Sequence, residues 1–468
     1  MTAKNNFTSL EHRLGEVASE ENEIKTALHV HHTATTTATA TTTTTAPTTG
    51  TDGPLSGIRV LDLARILAGP YCTMLLGDMG ADVIKIENPA HGDDTREWGP
   101  PFASLAPHVA AKYPNTKPES AYFMSVNRNK RSVAVNIRHK DGQEIIRELA
   151  KQCDVLVENY IPGKLAKYGL GHEDLAQINP RLVYASITGY GSTGPYAKRA
   201  GYDVMIEAEA GLMHITGEPG RPPVKVGVAI TDLTTGLYTH GAIIAALFAR
   251  ERTGRGQHID ASLIECQVAS LANIASSFLV GGQEAKRWGT QHASIVPYQG
   301  YDTSDGRHIV LGAGNDTQFG VLCRSIGLDE LPTDVRFVTN ADRVNNREAL
   351  NELLASRIKS QPLKHWLDAL EGSGIPYAPL NDIKHTFEHP QLLARDMVQQ
   401  VEHPTTGPVK LVGIPVKYSD TKPSIRLPPP LLGQHTEEVL RELLGYSSNQ
   451  IDALTSSSVI KMSALHSD

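Results

Sequence analysis

Short apolar runs recur at even spacing along the first half of the chain, at 58–63, 82–86, 132–137, 154–157 and 182–187. Between them lie stretches whose apolar positions fall three and four apart, such as 69–79 and 141–152. Short continuous runs read as strands buried on both faces, and the stretches between them as helices. The alternation predicts an α/β fold with a parallel sheet covered on both sides. Ligands of such sheets sit in the crevice beyond the carboxyl ends of the strands. Polar side chains gather there: Arg65 after the first run, Glu87 after the second, and Glu158, Asn159 and Tyr160 after the fourth.

A longer pattern follows. The apolar run 226–230 ends in Thr231 and Asp232, and an almost uncharged helical pattern starts at that point. It carries Gly236, Gly241, Ala242, Ala245 and Ala246 on several faces. A helix apolar nearly all round is buried, and its small residues let neighbouring backbones come close. Asp232 therefore stands at the start of a buried helix. Two readings fit: an N-cap that accepts bonds from the first turn, or a nucleophilic carboxylate in a water-poor cleft.

From about residue 285 the pattern changes. The turn Thr303-Ser304-Asp305-Gly306 separates two strand-like runs, a hairpin signal. Helical patterns follow at 317–326 and 347–360, which predicts a smaller α+β domain over 285–390. A Pro-rich run, Leu427-Pro428-Pro429-Pro430, leads to an amphipathic helix at 437–444 that Thr436 is placed to cap. Residues 447–468 read as a tail.

The other end departs from globular composition. Residues 33–49 are almost entirely Thr and Ala, too simple to build a core, so 1–53 read as a tail. The segment upstream of them is acidic, unlike a basic import leader. The cluster His29, His31 and His32 reads as part of that solvated tail. The chain as a whole has 468 residues, 40% hydrophobic and 20% charged, with a net charge of -7. That balance describes a globular protein and gives no electrostatic footprint for nucleic acid or an anionic membrane. The four cysteines, Cys72, Cys153, Cys266 and Cys323, are far apart and form no CxxC. They read as free thiols in a reducing compartment, cytoplasmic or mitochondrial, and not as a zinc site. No metal is expected.

Two local motifs invite stronger readings than they bear. Gly189-Tyr190-Gly191-Ser192-Thr193-Gly194 is a literal GxGxxG, but Pro195 follows and no helix opens at the turn. A dinucleotide site needs that helix N-terminus. The glycines instead let backbone approach a substrate or a partner chain. The basic clusters Asn129-Lys130-Arg131-Ser132 and Arg250 to Gly256 read either as solvated turns or as local phosphate contacts.

Taken in order, the segments resemble the class III CoA-transferases (CaiB/BaiF type). The resemblance covers about 55–446. It rests on Leu61-Asp62-Leu63-Ala64-Arg65-Ile66-Leu67-Ala68-Gly69-Pro70, Gly80 to Glu87, Gly92 to Arg96, and Asn127 to Ser132. Val157 to Tyr160, Ala200-Gly201-Tyr202-Asp203, Asp232, Thr253 to Gly256 and Pro430 to Thr436 complete it. Within the family the chain is similar to the branch acting on succinyl-CoA and glutarate, through Trp98 to Phe102, Gly211 to Gly217 and Ala285 to Thr290.

The resemblance implies a Rossmann-like large domain at 54–284, a segment at 391–446 that returns to it, and an interlocked homodimer. It implies Asp232 as a nucleophile that forms an acyl anhydride and then an aspartyl-CoA thioester. Free N–H groups at the helix start would favour its ionised form. CoA, a substrate and not a resident cofactor, is expected at Arg65, Ile66, Ala68, Val135, Asn159, Tyr160 and Lys167. The acyl group is expected near Trp98, Tyr122 and Tyr202. A dicarboxylate's distal charge needs a cation, for which Arg65, Arg96 and Arg287 are candidates. Departures from the oxalate-specific members, Leu67 for a Gln and no glycine-rich lid, point away from oxalate and toward glutarate, hydroxymethylglutarate or itaconate. Asn88 replaces a family Arg at the nucleotide. The racemases of the same superfamily carry a His where Tyr202 stands, and a phenol is a poor base near neutrality. A scaffold without catalysis is the third reading; the retention of Asp232 in its setting speaks against it.

Overall fold

The computed structural model describes residues 53–463. The Thr/Ala-rich stretch and the His29 cluster lie outside them. The large sheet contains β1 (Arg59–Asp62), β2 (Asp82–Glu87), β3 (Lys130–Val135), β4 (Val155–Glu158), β5 (Val183–Thr188), β6 (His258–Ser262) and β12 (Ile460–Lys461). Their order across the sheet is β12-β3-β2-β1-β4-β5-β6. All neighbours are parallel except the β12–β3 pair. From β3 to β6 this is the order of doubly wound nucleotide-binding sheets, with the direction of winding reversed between β1 and β4.

Alternation along each strand divides the core. Leu61, Ile84, Val133, Leu156 and Tyr184 face one side and Val60, Val83, Val155 and Val183 the other. The first layer is covered by α3 (Lys140–Gln152), through Ile145, Ile146 and Leu149. The second is covered by α1 (Ala68–Asp78) and α5 (Ile230–Thr253), through Cys72, Leu76, Ile243 and Ala246. Two shorter helices border this face: α2 (Ala121–Val126) and α4 (Asp203–Glu209). All four cysteines are buried and free.

The small region holds an antiparallel sheet of β7 (Tyr298–Asp302), β8 (His308–Gly312) and β9 (Tyr377–Pro379). The Thr303–Gly306 turn joins β7 to β8 as read from the sequence. Gly306, at φ 74°, supplies its left-handed residue. Helices Asp316–Ile326, Arg347–Lys359 and Leu363–Leu370 close a separate core around Phe319, Phe337 and Trp366. A hairpin of β10 (Val398–His403) and β11 (Gly407–Val412) follows, unanticipated in the sequence. The chain then runs back along the large sheet, where Ser424 donates to the Asp78 carbonyl and Arg426 to those of Gly77 and Ala81.

Three expectations are corrected here. Residues 447–463 are not a tail: they form α7 (Ser448–Ser456) and β12, and bury Ile451, Val459 and Ile460 in the main core. Thr436 does not cap α6 (Thr436–Leu444); its hydroxyl accepts from Ala134 N and donates to the Lys461 carbonyl, joining three segments. The long helix α5 is not buried all round. Thr235, Gly236, Thr239 and Ile243 face inward, but Leu237, Tyr238 and Phe248 lie open on the other side, Phe248 at 67% exposure. Its small residues do serve close approach, since a Cβ on Gly236 would stand 2.8 Å from the Ala68 carbonyl oxygen. Among the described residues no single helix is long and apolar enough to cross a membrane.

Candidate active site

A groove of about 410 Å³ runs across the carboxyl ends of the strands at the β1–β4 reversal. Its walls are the loop after β1 (Arg65 to Ala68), the ends of β2 and β3 (Lys85 to Asn88, Val135 to Arg138) and the segment after β4 (Asn159 to Pro162). Gly189, Gly201, Tyr202, Asp232 and Leu263 also line it.

The loop after β1 is held by a set of interlocking bonds. Asn159 clasps the Arg65 backbone, accepting its N–H at 2.9 Å and donating to its carbonyl at 2.7 Å. Lys85, fully buried, donates to the Ala64 carbonyl and to Asp93, both at 2.9 Å. Asp93 also accepts the Ile66 N–H at 3.3 Å. These contacts hold Ile66 at φ 72°, a left-handed conformation that costs a β-branched residue about 1–3 kcal/mol. The bonds thus hold the loop in one strained shape. Behind it Lys130 pairs with Asp62 at 3.1 Å, both buried, and desolvation pulls the Lys130 amine down to about 8 against the pull of Asp62.

Asp232 sits in the first turn of α5, but not at its cap. The cap position is Ala229, which offers no side-chain bond. Asp203 does the capping instead, its Oδ1 accepting from Thr231 N at 2.8 Å and Asp232 N at 3.1 Å. The Asp232 carboxylate thus receives no bond from its own helix start and, among the described residues, forms no ion pair. Burial, and then the charge of Asp203, push its pKa up to about 7. The expectation that the helix start keeps it readily ionised is reversed, because Asp203 already takes the free N–H groups. Tyr122 on α2 faces the same spot. Burial, followed by the charges of Asp232 and Asp203, raises its phenol to about 12.

Of the residues expected to hold CoA, Arg65, Ile66, Ala68, Val135, Asn159 and Tyr160 line the groove. Lys167 does not; it is exposed, while Lys164 occupies the wall. Arg65 pairs with Asp94 at 2.8 Å and lies over the Tyr160 ring, yet remains 42% exposed. Glu158, whose acid burial raises to about 7, supports the wall by accepting the Tyr160 N–H.

The expected acyl residues divide. Tyr202 lines the groove; Trp98 and Tyr122 stack edge to face at 5.3 Å beside it. Arg96 is lost as a substrate cation. It is buried, bonded to Glu87 at 2.7 and 2.8 Å and to Glu119 at 2.9 Å, with Phe123 3.7 Å from its guanidinium. Arg287 lies away from the groove, donating to the His214 carbonyl at 2.7 Å with its Nε buried and unpartnered.

The basic clusters are structural as well. Asn129 and Arg128 bind Asp78, Arg131 binds Asp82 and Glu438, and Arg250 binds Asp154. Of the GxGxxG glycines, Gly189 serves a close approach, but to Gly201 of the same chain: a Cβ on Gly189 would stand 2.9 Å from the Gly201 Cα, whereas one on Gly194 would meet nothing within 4 Å.

Asp93, Lys85 and Asp203 were missed as builders of the site. A charge inside an apolar strand run, Val83-Ile84-Lys85-Ile86, was the available signal for Lys85, since Lys is almost never fully buried unpaired. Among the described residues no group of three or more His, Cys, Asp or Glu side chains is arranged to hold a metal ion.

The model of CoA-transferase family III matches residues 55–436. The chain belongs to that family. It is 50% identical over 413 residues to the succinyl-CoA:glutarate CoA-transferase of Homo sapiens, covering 88% of this chain and 91% of the relative. It is 42% identical over 390 residues to the succinate–glutarate CoA-transferase of Agrobacterium fabrum, covering 83% and 96%. A crystal structure of a CAIB/BAIF family protein from Brucella suis superposes with a TM-score of 0.75 at 44% identity, covering 84% of this chain and 99% of that one. The chain is therefore an enzyme, a CoA-transferase whose substrates include a CoA thioester. Helix α7 and strand β12 lie beyond the span the family model matches.

Proposed function

We propose that this CoA-transferase moves CoA from succinyl-CoA to glutarate through acyl intermediates on Asp232. The observation that carries the reading is Asp232 itself: a carboxylate at the wall of the strand-end groove that, among the described residues, has no ion-pair partner and no hydrogen-bond donor to quiet it. An Oδ lone pair attacks the thioester carbonyl carbon, the C–S bond breaks, and the electron pair leaves with the thiolate. The thiolate then attacks the aspartyl carbonyl of the anhydride, releasing succinate and leaving an aspartyl-CoA thioester. Glutarate repeats the sequence in reverse. Splitting one exchange into such steps lowers each barrier, and burial keeps water from the anhydride.

The lining of the groove supports a reading of the remaining roles. CoA lies along Ile66, Ala68, Val135, Asn159 and Tyr160, with Arg138 and Lys164 in the wall for its phosphates. Arg65 is the cation for the acceptor's distal carboxylate, being the one of three expected arginines that lines the groove. Tyr202, Trp98 and Tyr122 border the acyl group. The open stripe of α5, with Phe278, Leu279 and Val280 also exposed, supports a homodimer in which a second chain covers it.

The test is CoA exchange by the purified full chain, with succinyl-CoA and a panel of dicarboxylates, beside Asp232→Ala. Glutaryl-CoA formed by the wild type and absent with the variant is the expected result. A folded, CoA-binding protein that forms no glutaryl-CoA refutes the assignment.

A further inference from the structure

Behind Asp232 lies a second carboxyl group that the exchange chemistry does not use. Glu207 is 0% exposed, one turn along α4 from Asp203. Its Oε2 accepts the Val226 N–H at 3.0 Å. Its Oε1 is buried without a donor, and a spacing of four residues on one helix sets the Glu207 carboxyl beside that of Asp203; burial, and then the charge of Asp203, raise the Glu207 acid against the Val226 N–H that lowers it. Two carboxylates in such contact repel, and one proton between them turns the contact into a bond. An ionised Glu207 would leave Oε1 an orphan in the core; a protonated one makes it the donor that Asp203 lacks.

We infer that Asp203 and Glu207 share one proton, and that the pair holds the start of α5 so that Asp232 faces the groove beside a fixed negative charge. The inference rests on Asp232 as the nucleophile. Asp203 is a positioning residue here. It fastens the Thr231 and Asp232 backbone through Oδ1 and touches no reacting atom. Glu207 keeps it fixed and singly charged.

The consequence follows from where charge goes. Before attack, Asp232 is an anion next to Asp203. After attack the aspartyl oxygen is part of a neutral anhydride, and the negative charge has moved to the thiolate. Asp203 thus disfavours the reactant carboxylate and leaves the acyl form untouched. The groups facing this point are Asp203 on α4 and Tyr122 on α2; Glu207 faces Asp203, and the charge of Lys225 acts on Glu207 from its other side. Among the described residues no cation pairs with Asp232, although Arg65, Lys85 and Arg199 line the same groove.

The test compares the wild type with Asp203→Asn and Glu207→Gln, all as full chains. Asp203→Asn keeps an oxygen for the two N–H groups but removes the charge. Glu207→Gln is a permanent donor to Asp203. Rates are measured from pH 5 to 9 with succinyl-CoA and glutarate, and the peptide containing Asp232 is weighed after exposure to succinyl-CoA. With Asp203→Asn the acid limb of the kcat profile should move down by about one pH unit or more. Its plateau should fall by about tenfold while KM changes by less than about threefold. Glu207→Gln should hold the wild-type limb. An unmoved limb in Asp203→Asn, or an equal shift in Glu207→Gln, overturns the inference. A purely structural cap would alter stability without moving the limb. A wild-type peptide that never gains acyl mass refutes the nucleophile assignment itself, a separate failure. Should Asp203→Asn not fold, Asp203→Ser offers another uncharged acceptor for the same comparison.

Discussion

Replacing Asp232 by Asn should make the protein more stable while removing its activity. The carboxyl has an ordinary value of 3.8, and burial with the Asp203 charge lifts it to about 7 in the fold. An acid raised in this way contributes stability below its unfolded value. That stability drains away as pH climbs from about 4 to about 7, because above it the fold must hold a charge it disfavours. Three pH units at about 1.4 kcal/mol each set a ceiling of about 4 kcal/mol. Asp232 is partly open to the groove, so water relieves some of this, and about 2–4 kcal/mol is expected at pH 8. At pH 5 the wild type has recovered most of the loss and the gain shrinks to about 1–2 kcal/mol. Urea unfolding of both proteins at the two pH values measures the difference. Equal stability at pH 8, or a gain of the same size at both pH values, would refute the reasoning. Strain of this kind at a reacting group is a recurrent source of the trade between stability and activity.

Other substitutions separate structural from functional charge. Arg96→Met should cost about 3–5 kcal/mol by stranding Glu87 and Glu119 in the core, and calorimetry should show the loss whatever acceptor is used. Arg65→Met should cost little stability, since its pair with Asp94 is half-exposed and worth about 0–1 kcal/mol. It should instead raise KM for the dicarboxylate, read in the exchange assay. Gly236→Val would drive a methyl into the Ala68 carbonyl, 2.8 Å from the new Cβ. About 1–3 kcal/mol of overpacking is expected, together with weaker CoA binding by titration, because Ala68 belongs to the groove.

The strand–helix alternation carried most of the large domain in plain view, since strands buried on both faces must be apolar throughout. Runs at 82–86 and 154–157 correspond to β2 and β4 within a residue. What escaped were features fixed by distant partners. Residues 447–463 look polar and irregular locally, and only the open edge of β3 gives Ile460 a place to pair. The hairpin of β10 and β11 does not announce itself, because residue types do not follow the alternation in burial along β11: Val398 and Val401 stand three apart in β10, and Leu411 and Val412 are adjacent in β11. In the site, Asp232 was legible from its place at a helix start. Its cap was not, because Asp203 is far away in sequence and nothing local says which of two aspartates takes the free N–H groups. Arg96 was misjudged for the same reason: an arginine near a cleft looks available until Glu87 and Glu119 are seen to enclose it.

The antiparallel seam between β12 and β3 has a bearing on how the chain is made. The pairing partners Val135 and Ile460 are separated by roughly 300 residues, so β3 leaves the ribosome long before anything can cover its edge. At about 5–20 residues per second, the interval lasts on the order of 20–60 s. Throughout it, the nascent sheet presents an unpaired row of N–H and C=O groups flanked by Val133 and Val135, the form of surface that recruits neighbouring strands. The region of β7, β8 and β9, with its own hydrophobic cluster, is synthesised before then. Synthesis therefore delivers the large sheet with one edge still open, and the segment from α6 to β12 acts as the clasp that closes it.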